Sequence, residues 1–193
     1  MSFIIKNVRL SFPNLFHPVE FKPGDDKPRW DASFLIEPGS ENDKLIQKAI
    51  KEEATATWGE KAEAELKKMR GQGNKYCYID GNTKEYSGYE DRWCLSTHRS
   101  AKGKGGTPNT PPVVIGRDKA PITAESGKIY AGCFVNAKVS IYCQKGDNPG
   151  VRASFSVVQF ASDGDAFSSD DRGTDDFESL ETGSDADGFD AMV

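Results

Sequence analysis

The segment YAGCFVNAKVSIYC, residues 130–143, carries side chains whose types and spacing could do chemistry. With the two-residue period of a strand, Ala131, Cys133, Val135, Ala137, Val139, Ile141 and Cys143 share one face, all small or apolar. Tyr130, Gly132, Phe134, Asn136, Lys138, Ser140 and Tyr142 share the other. The first face reads as core. The second sets aromatic rings beside an ammonium group and hydrogen-bonding side chains, which is unusual for a face that meets only water. Bases stack on aromatic rings at about 1–3 kcal/mol each while Lys and Arg follow phosphates, so such a surface suits a single-stranded nucleic acid. Packing under a loop and a homodimer contact are the structural alternatives for the same rings.

Neighbouring segments extend the surface. In residues 151–160, Val151, Ala153, Phe155 and Val157 are expected inward, leaving Arg152, Ser154 and Ser156 outward. The run 29–36 adds Arg29 and Trp30. Loops contribute Lys75, Tyr76, Tyr78, Tyr86, Arg92, Arg99, Lys102 and Lys104. The candidate binding set is thus Arg29, Trp30, Lys75, Tyr76, Tyr78, Arg92, Arg99, Lys102, Lys104, Tyr130, Phe134, Lys138, Tyr142 and Arg152.

Other chemistries find little support. Cys77, Cys94, Cys133 and Cys143 form no C-x-x-C pair, and His17 and His98 lie far in sequence from a second ligand, so no metal site is expected. The cysteines read as reduced, buried thiols. The glycines of K-G-K-G-G-T at 102–107 lack the phosphate-loop spacing. Asp25-Asp26 and Glu90-Asp91 sit in polar loops and read as solvated pairs. With no nucleophile–base constellation, neither catalytic residues nor a cofactor are expected.

The elements that must position these residues are mostly short strands. Residues 3–11 and 29–36 read as strands, bounded by Pro13 and by Pro28 and Pro38. Residues 41–70 place Leu45, Ile46, Ala49, Ile50, Leu66 and Met69 at helical spacing. Ser40 and Asp43 offer an N-terminal cap, Gly59 divides two helices, and Gly71 and Gly73 stop the second. A long loop at 71–92 precedes a strand at 93–99, and two longer strands follow at 129–143 and 151–160. About five strands with one helical insertion predict a mainly β fold, a five-stranded OB-fold-like Greek-key barrel.

Charge divides the chain of 193 residues. Its net charge of −5 combines 24 Lys and Arg against 19 Asp and Glu in residues 1–160 with 11 acidic residues against Arg172 alone in residues 161–193. The body is mildly basic and the tail strongly anionic. The tail is rich in Asp, Ser and Gly and is expected to be disordered, because it cannot bury enough apolar surface to offset its ordering entropy. Residues 1–160 are therefore read as one binding domain and 161–193 as an acidic tail. Its terminal apolar residues, Phe189, Met192 and Val193, suggest a docking peptide. No run approaches ~18 apolar residues and the N-terminus lacks signal-peptide character, so a cytoplasmic protein without a membrane segment is expected.

Five stretches carry a family resemblance: Val8-Arg9-Leu10-Ser11-Phe12-Pro13-Asn14-Leu15-Phe16, Trp30-Asp31-Ala32-Ser33-Phe34-Leu35-Ile36, Pro111-Pro112-Val113-Val114, Tyr130-Ala131-Gly132-Cys133-Phe134-Val135-Asn136-Ala137, and Gly150-Val151-Arg152-Ala153 through Val158-Gln159-Phe160. In this order they resemble the tailed-bacteriophage single-stranded DNA-binding proteins, with an OB fold and an acidic C-terminal tail. The resemblance implies sequence-independent binding of single strands in phage replication, recombination and repair, within the infected cell's cytoplasm. It also implies a tail that regulates DNA binding and contacts replication or recombination proteins. Here the chain departs from that pattern by ending in Met192-Val193, with Phe189 the nearest aromatic residue. A protein-binding phage adaptor is the competing expectation.

Overall fold

A computed structural model describes residues 2–20, 22, 24 and 26–167. Seven strands form one sheet: β1 (Ser2–Glu20), β2 (Pro28–Ile36), β3 (Tyr78–Asp80), β4 (Trp93–Ser100), β5 (Val113–Ile115), β6 (Phe134–Gln144) and β7 (Gly150–Ser162). Their order is β3-β4-β2-β1-β6-β7-β5, antiparallel except for β5 beside β7. The five long strands make the OB-like unit and β3 and β5 are short additions. Two helices, α1 (Glu41–Trp58) and α2 (Ala62–Met69), lie between β2 and β3 in the chain.

The sheet closes through a borrowed segment. β4 and β7 have no ladder between them; instead Val151 N donates to Lys75 O at 2.8 Å and Val151 O accepts from Cys77 N at 3.0 Å. Cys77 O in turn accepts from Ser96 N at 2.8 Å. The chain at 75–77 thus bridges the two strands and satisfies their edge groups, which an open sheet would leave to solvent. Inside, Phe34 and Phe155 meet edge to face at 6.5 Å, among Ile5, Leu10, Leu95, Val135, Val139 and Ile141.

β1 runs past Pro13, which the sequence reading took as its end. Pro13 falls at the register shift between Ser11 and Asn14, where no ladder bond needs its missing N–H. A second irregularity, between Ile5 and Val8, lets β1 bend and pair with both β2 and β6. β6 starts only at Phe134, and its alternation matches the expected faces. β7 departs from expectation halfway. Lys138 faces Val157 while Val139 faces Phe155, so Ser156 is an extra residue. This bulge shifts the inward parity: Val158 is buried and Val157 is not.

Ser40 Oγ accepts from Asp43 N at 3.2 Å and caps α1, whose Ile46, Ile50 and Ala54 face the core. Leu45, one residue off that stripe, is exposed. α1 stops at Gly59, which adopts φ 57. Asp43 is itself buried and ties the helix to the sheet. Its Oδ1 accepts from Tyr78 Oη at 2.9 Å and Gln47 Nε2 at 2.7 Å, and Oδ2 accepts from Gly39 N at 2.8 Å. The described residues hold no helix long and apolar enough to cross a membrane. Tyr78→Phe removes one donor from a buried carboxylate and is expected to cost about 1–3 kcal/mol in urea unfolding.

Candidate nucleic-acid interface

Outward side chains of β2, β4 and β7 form the floor of a cleft of about 720 Å³. Arg29, Asp31 and Ser33 come from β2, Ser96 and His98 from β4, and Arg152 from β7. The alternation that sends these six outward sends Trp30, Ala32 and Phe34 inward. Phe12, Asn14 and Val19 of β1 and Lys84, Tyr86 and Tyr89 of the loop at 81–92 wall the cleft, with Gln144 and Asn148 at the β6–β7 turn.

One part of the wall is aromatic. Phe12 and Tyr86 meet edge to face at 5.1 Å and Tyr86 meets Tyr89 at 5.4 Å. Tyr89 is buried and anchors the loop, with burial pushing its phenol pKa up. Phe12 and Tyr86 stay 46% and 49% exposed. Phe12 holds φ 49, a left-handed conformation that is strained for a large residue. Such strain at an exposed ring points to a use for the ring rather than to packing.

The other part is charged, with Arg29, Lys84 and Arg152 set against Asp31 and Glu20. Arg29 Nε lies 2.8 Å from Asp31 Oδ1, so part of its charge is already answered; burial outweighs that arginine and raises the Asp31 pKa. Arg152 donates to Asn74 O, which holds its guanidinium over the floor. Tyr142 Oη and His98 Nε2 are 3.3 Å apart at the rim. Burial first, then Arg29 and Arg152, lower the His98 pKa below its ordinary 6.5.

Of the candidates read from the sequence, the structure gathers Arg29, Arg152 and, at the rim, Tyr142. Trp30, Tyr76 and Tyr78 are corrected: each is at most 7% exposed and none can present a ring to a base. Trp30 adjoins Arg29 on a strand, so the two cannot share a face. In the bridging segment Cys77 faces the cleft, while Tyr76 and Tyr78 turn toward the helices, where Tyr78 stacks on Trp93 at 5.5 Å. Lys75 lends its carbonyl to the sheet closure and does not line the cleft. Arg92 pairs with Glu37 at 3.7 Å, Arg99 donates to Thr110 O at 2.7 Å, and Lys102 pairs with Asp26, all beyond the cleft lining. The backbone of Lys104 lies in the adjoining 3-10 turn. Lys138 is exposed beside Ile4 and Val157, away from the cleft. Tyr130 and Phe134 are half-buried against residues 163–167 and are not open platforms. Phe189, Met192 and Val193 lie outside the described residues.

Phe12 and Lys84 were missed as candidates. Phe12 precedes a proline inside a run of β residues, and its position on the cleft follows from a bulge that no local pattern announces. A second hollow, about 830 Å³, lies between the helices and β3. Its rings are the buried Tyr76 and Tyr78 and the half-buried Trp93, which stacks on Tyr78, and its Lys48, Lys51 and Arg70 are balanced by Glu60, Glu63 and Asp80. It offers no fully exposed ring and no excess positive charge. No group of His, Cys, Asp and Glu among the described residues could hold a metal ion.

The chain is 38% identical over 170 residues to putative protein p50 of Acyrthosiphon pisum secondary endosymbiont phage 1, covering 86% of each. The fold is similar to that of the single-stranded DNA-binding protein from bacteriophage Enc34 in complex with ssDNA, with TM-score 0.67, 18% identity and coverage of 86% of this chain and 89% of that one. It is also similar to gp2.5, a single-stranded DNA-binding protein encoded by bacteriophage T7, with TM-score 0.58, 15% identity and coverage of 95% and 98%. A family model described as Enterobacter phage Enc34, ssDNA-binding protein, matches residues 1–189, and the chain belongs to that family.

Proposed function

We propose that this protein binds single-stranded DNA without sequence preference, non-enzymatically, in the cleft across β2 and β4. The observation that carries the reading is the strained, exposed Phe12 ring beside Tyr86 in a cleft that also holds Arg29, Lys84 and Arg152. Bases stack on Phe12 and Tyr86, and the three cations follow the phosphates. The second and third long strands of an OB-like barrel and its flanking loops are where such barrels take oligonucleotides. Family membership supports the reading, and replication, recombination and repair of phage DNA are the processes in which it would act.

The acidic tail supplies regulation. Ten net negative charges, at positions 161–193, repel phosphate and compete for the same cations. The same segment offers a docking peptide for replication or recombination proteins.

Fluorescence anisotropy of a labelled oligo-dT tests the binding directly. Affinity should fall with salt, with a log–log slope of about −2 if the three cations each neutralise one phosphate. An absence of binding at low salt overturns the reading. Phe12→Ala should weaken binding by about 1–3 kcal/mol while leaving the unfolding midpoint nearly unchanged, since the ring is exposed.

DNA binding should also strengthen as pH falls. The groups facing His98 are Arg29, Arg152, Asp31 and Tyr142. The two arginines and burial disfavour its proton in the free protein, whereas phosphates in the cleft favour it. Binding therefore takes up a proton in the range below 6.5, and His98→Gln should flatten that dependence. Without DNA the sign reverses: the unfolded chain protonates first, so stability declines as pH drops below 6.5.

Removing residues 168–193 should tighten binding at low salt, and the gain should shrink as salt screens the charges. Equal affinities at low salt would refute competition by the tail.

A further inference from the structure

Beyond the end of β7 the chain turns back across the body. Gly164 N donates to Tyr130 Oη at 3.0 Å, and Tyr130 Oη lies 3.1 Å from Asp163 Oδ1. Phe167 N donates to Ala131 O at 2.9 Å. Arg9 donates through Nη2 to Asp165 O and through Nε to Gly132 O at 3.2 Å. Its guanidinium lies 5.6 Å from the Phe134 ring centre and 4.4 Å from that of Phe167. Contacts from one guanidinium to two rings tie this segment to the body. Gly132, at φ +109, permits the approach, because a Cβ there would run into Asp165 O.

The Phe167 ring ends on Gly88, where any side chain would collide with it. Gly88 lies between Tyr86 and Tyr89 in a loop whose ends are joined by Gly81 N donating to Arg92 O at 2.7 Å. Tyr89 fastens the inner side of that loop in the core, and Phe167 covers its outer side. The Tyr86 ring meets Phe12 and Tyr89 edge to face, and its carbonyl accepts from Tyr89 N at 3.3 Å. Hydrogen bonds such as Gly88 N to Glu90 and Asp91 N to Asn82 fasten the loop backbone, so the place of the exposed Tyr86 ring is set by packing around it, with Phe167 against Gly88 as the outer support.

We infer that residues 163–167 form a strap that sets the position of Tyr86 at the cleft, with Phe167 as a positioning residue for DNA binding. This rests on the binding reading above. The strap joins the start of the acidic segment to the stacking platform, so a partner pulling on the tail would loosen the platform. That is a different action from charge competition in the cleft.

Full-length protein and its F167A and F167Y variants test this in two arms. Without DNA, amide exchange at Gly88 and Tyr89 should quicken at least tenfold in F167A, with β2 and β6 amides and the melting midpoint unchanged, and F167Y should restore protection. With oligo-dT, F167A should bind roughly fivefold more weakly, as expected for partial loss of one stacking platform. The loss should persist at high salt, where any effect of a freed acidic tail is screened. Unchanged exchange overturns the strap whether or not DNA binds. Faster exchange with unchanged affinity overturns the positioning role. Exchange that rises uniformly with a lower melting midpoint assigns Phe167 to general stability and overturns the inference. Failure of the wild-type protein to bind oligo-dT would instead remove the binding reading, leaving the exchange arm to judge the strap alone.

Discussion

The backbone of Val151 takes both its partners, Lys75 O and Cys77 N, from a segment that belongs to neither strand it joins, and the closed sheet depends on that exchange. With the gap between β4 and β7 filled, the inner faces of five strands meet around Phe34 and Phe155. The outer faces of β2, β4 and β7 become one continuous floor on which Arg29, His98 and Arg152 converge. The same closure turns Tyr76 and Tyr78 toward the helices, where Tyr78 reaches Asp43 and fixes the start of α1. The short β3 and β5 are left as the edge strands of the described sheet.

The cleft combines two kinds of attraction that differ in range. On the proposed reading, its cations act over a Debye length, about 10 Å at moderate salt, and draw a polyanion in without regard to sequence. Its rings act only in contact and accept any base. Asp31 tempers the first kind by answering part of the Arg29 charge, and burial together with the two arginines lowers the His98 pKa. Strain at Phe12 is the local cost of placing a ring at the wall, and the surrounding strand pairing of β1 with β2 and β6 sustains it.

Where the body ends and the acidic segment begins, the contacts are specific rather than merely electrostatic. Arg9 meets two rings and two carbonyls from residues 132–167. Tyr130, in the loop before β6, and Phe134, at the start of β6, are occupied in holding the chain that follows β7. The sequence suggests these rings as open platforms; in the structure their partner is the chain itself.

By itself the sequence determined what local rules can express. The faces of β6 follow from two-residue alternation; the start and stop of α1 follow from Ser40 and Gly59; the division of charge follows from composition. The ordered run of motifs was enough to expect the family to which the chain belongs. The alternation of Trp30, Ala32, Phe34 and Ile36 against Arg29, Asp31 and Ser33 already separates Trp30 from Arg29, whereas only the tertiary structure decided that the Arg29 face lines the cleft. It alone placed the bulge at Ser156 that moves Val158 rather than Val157 inward, and the left-handed Phe12. It buried Tyr76 and Tyr78 by borrowing their segment to close the sheet, and it joined Arg9 to Asp165, 156 positions away. Each of these depends on a contact between segments far apart in the chain, and periodicity, which compares a residue only with its near neighbours, carries no information about such contacts.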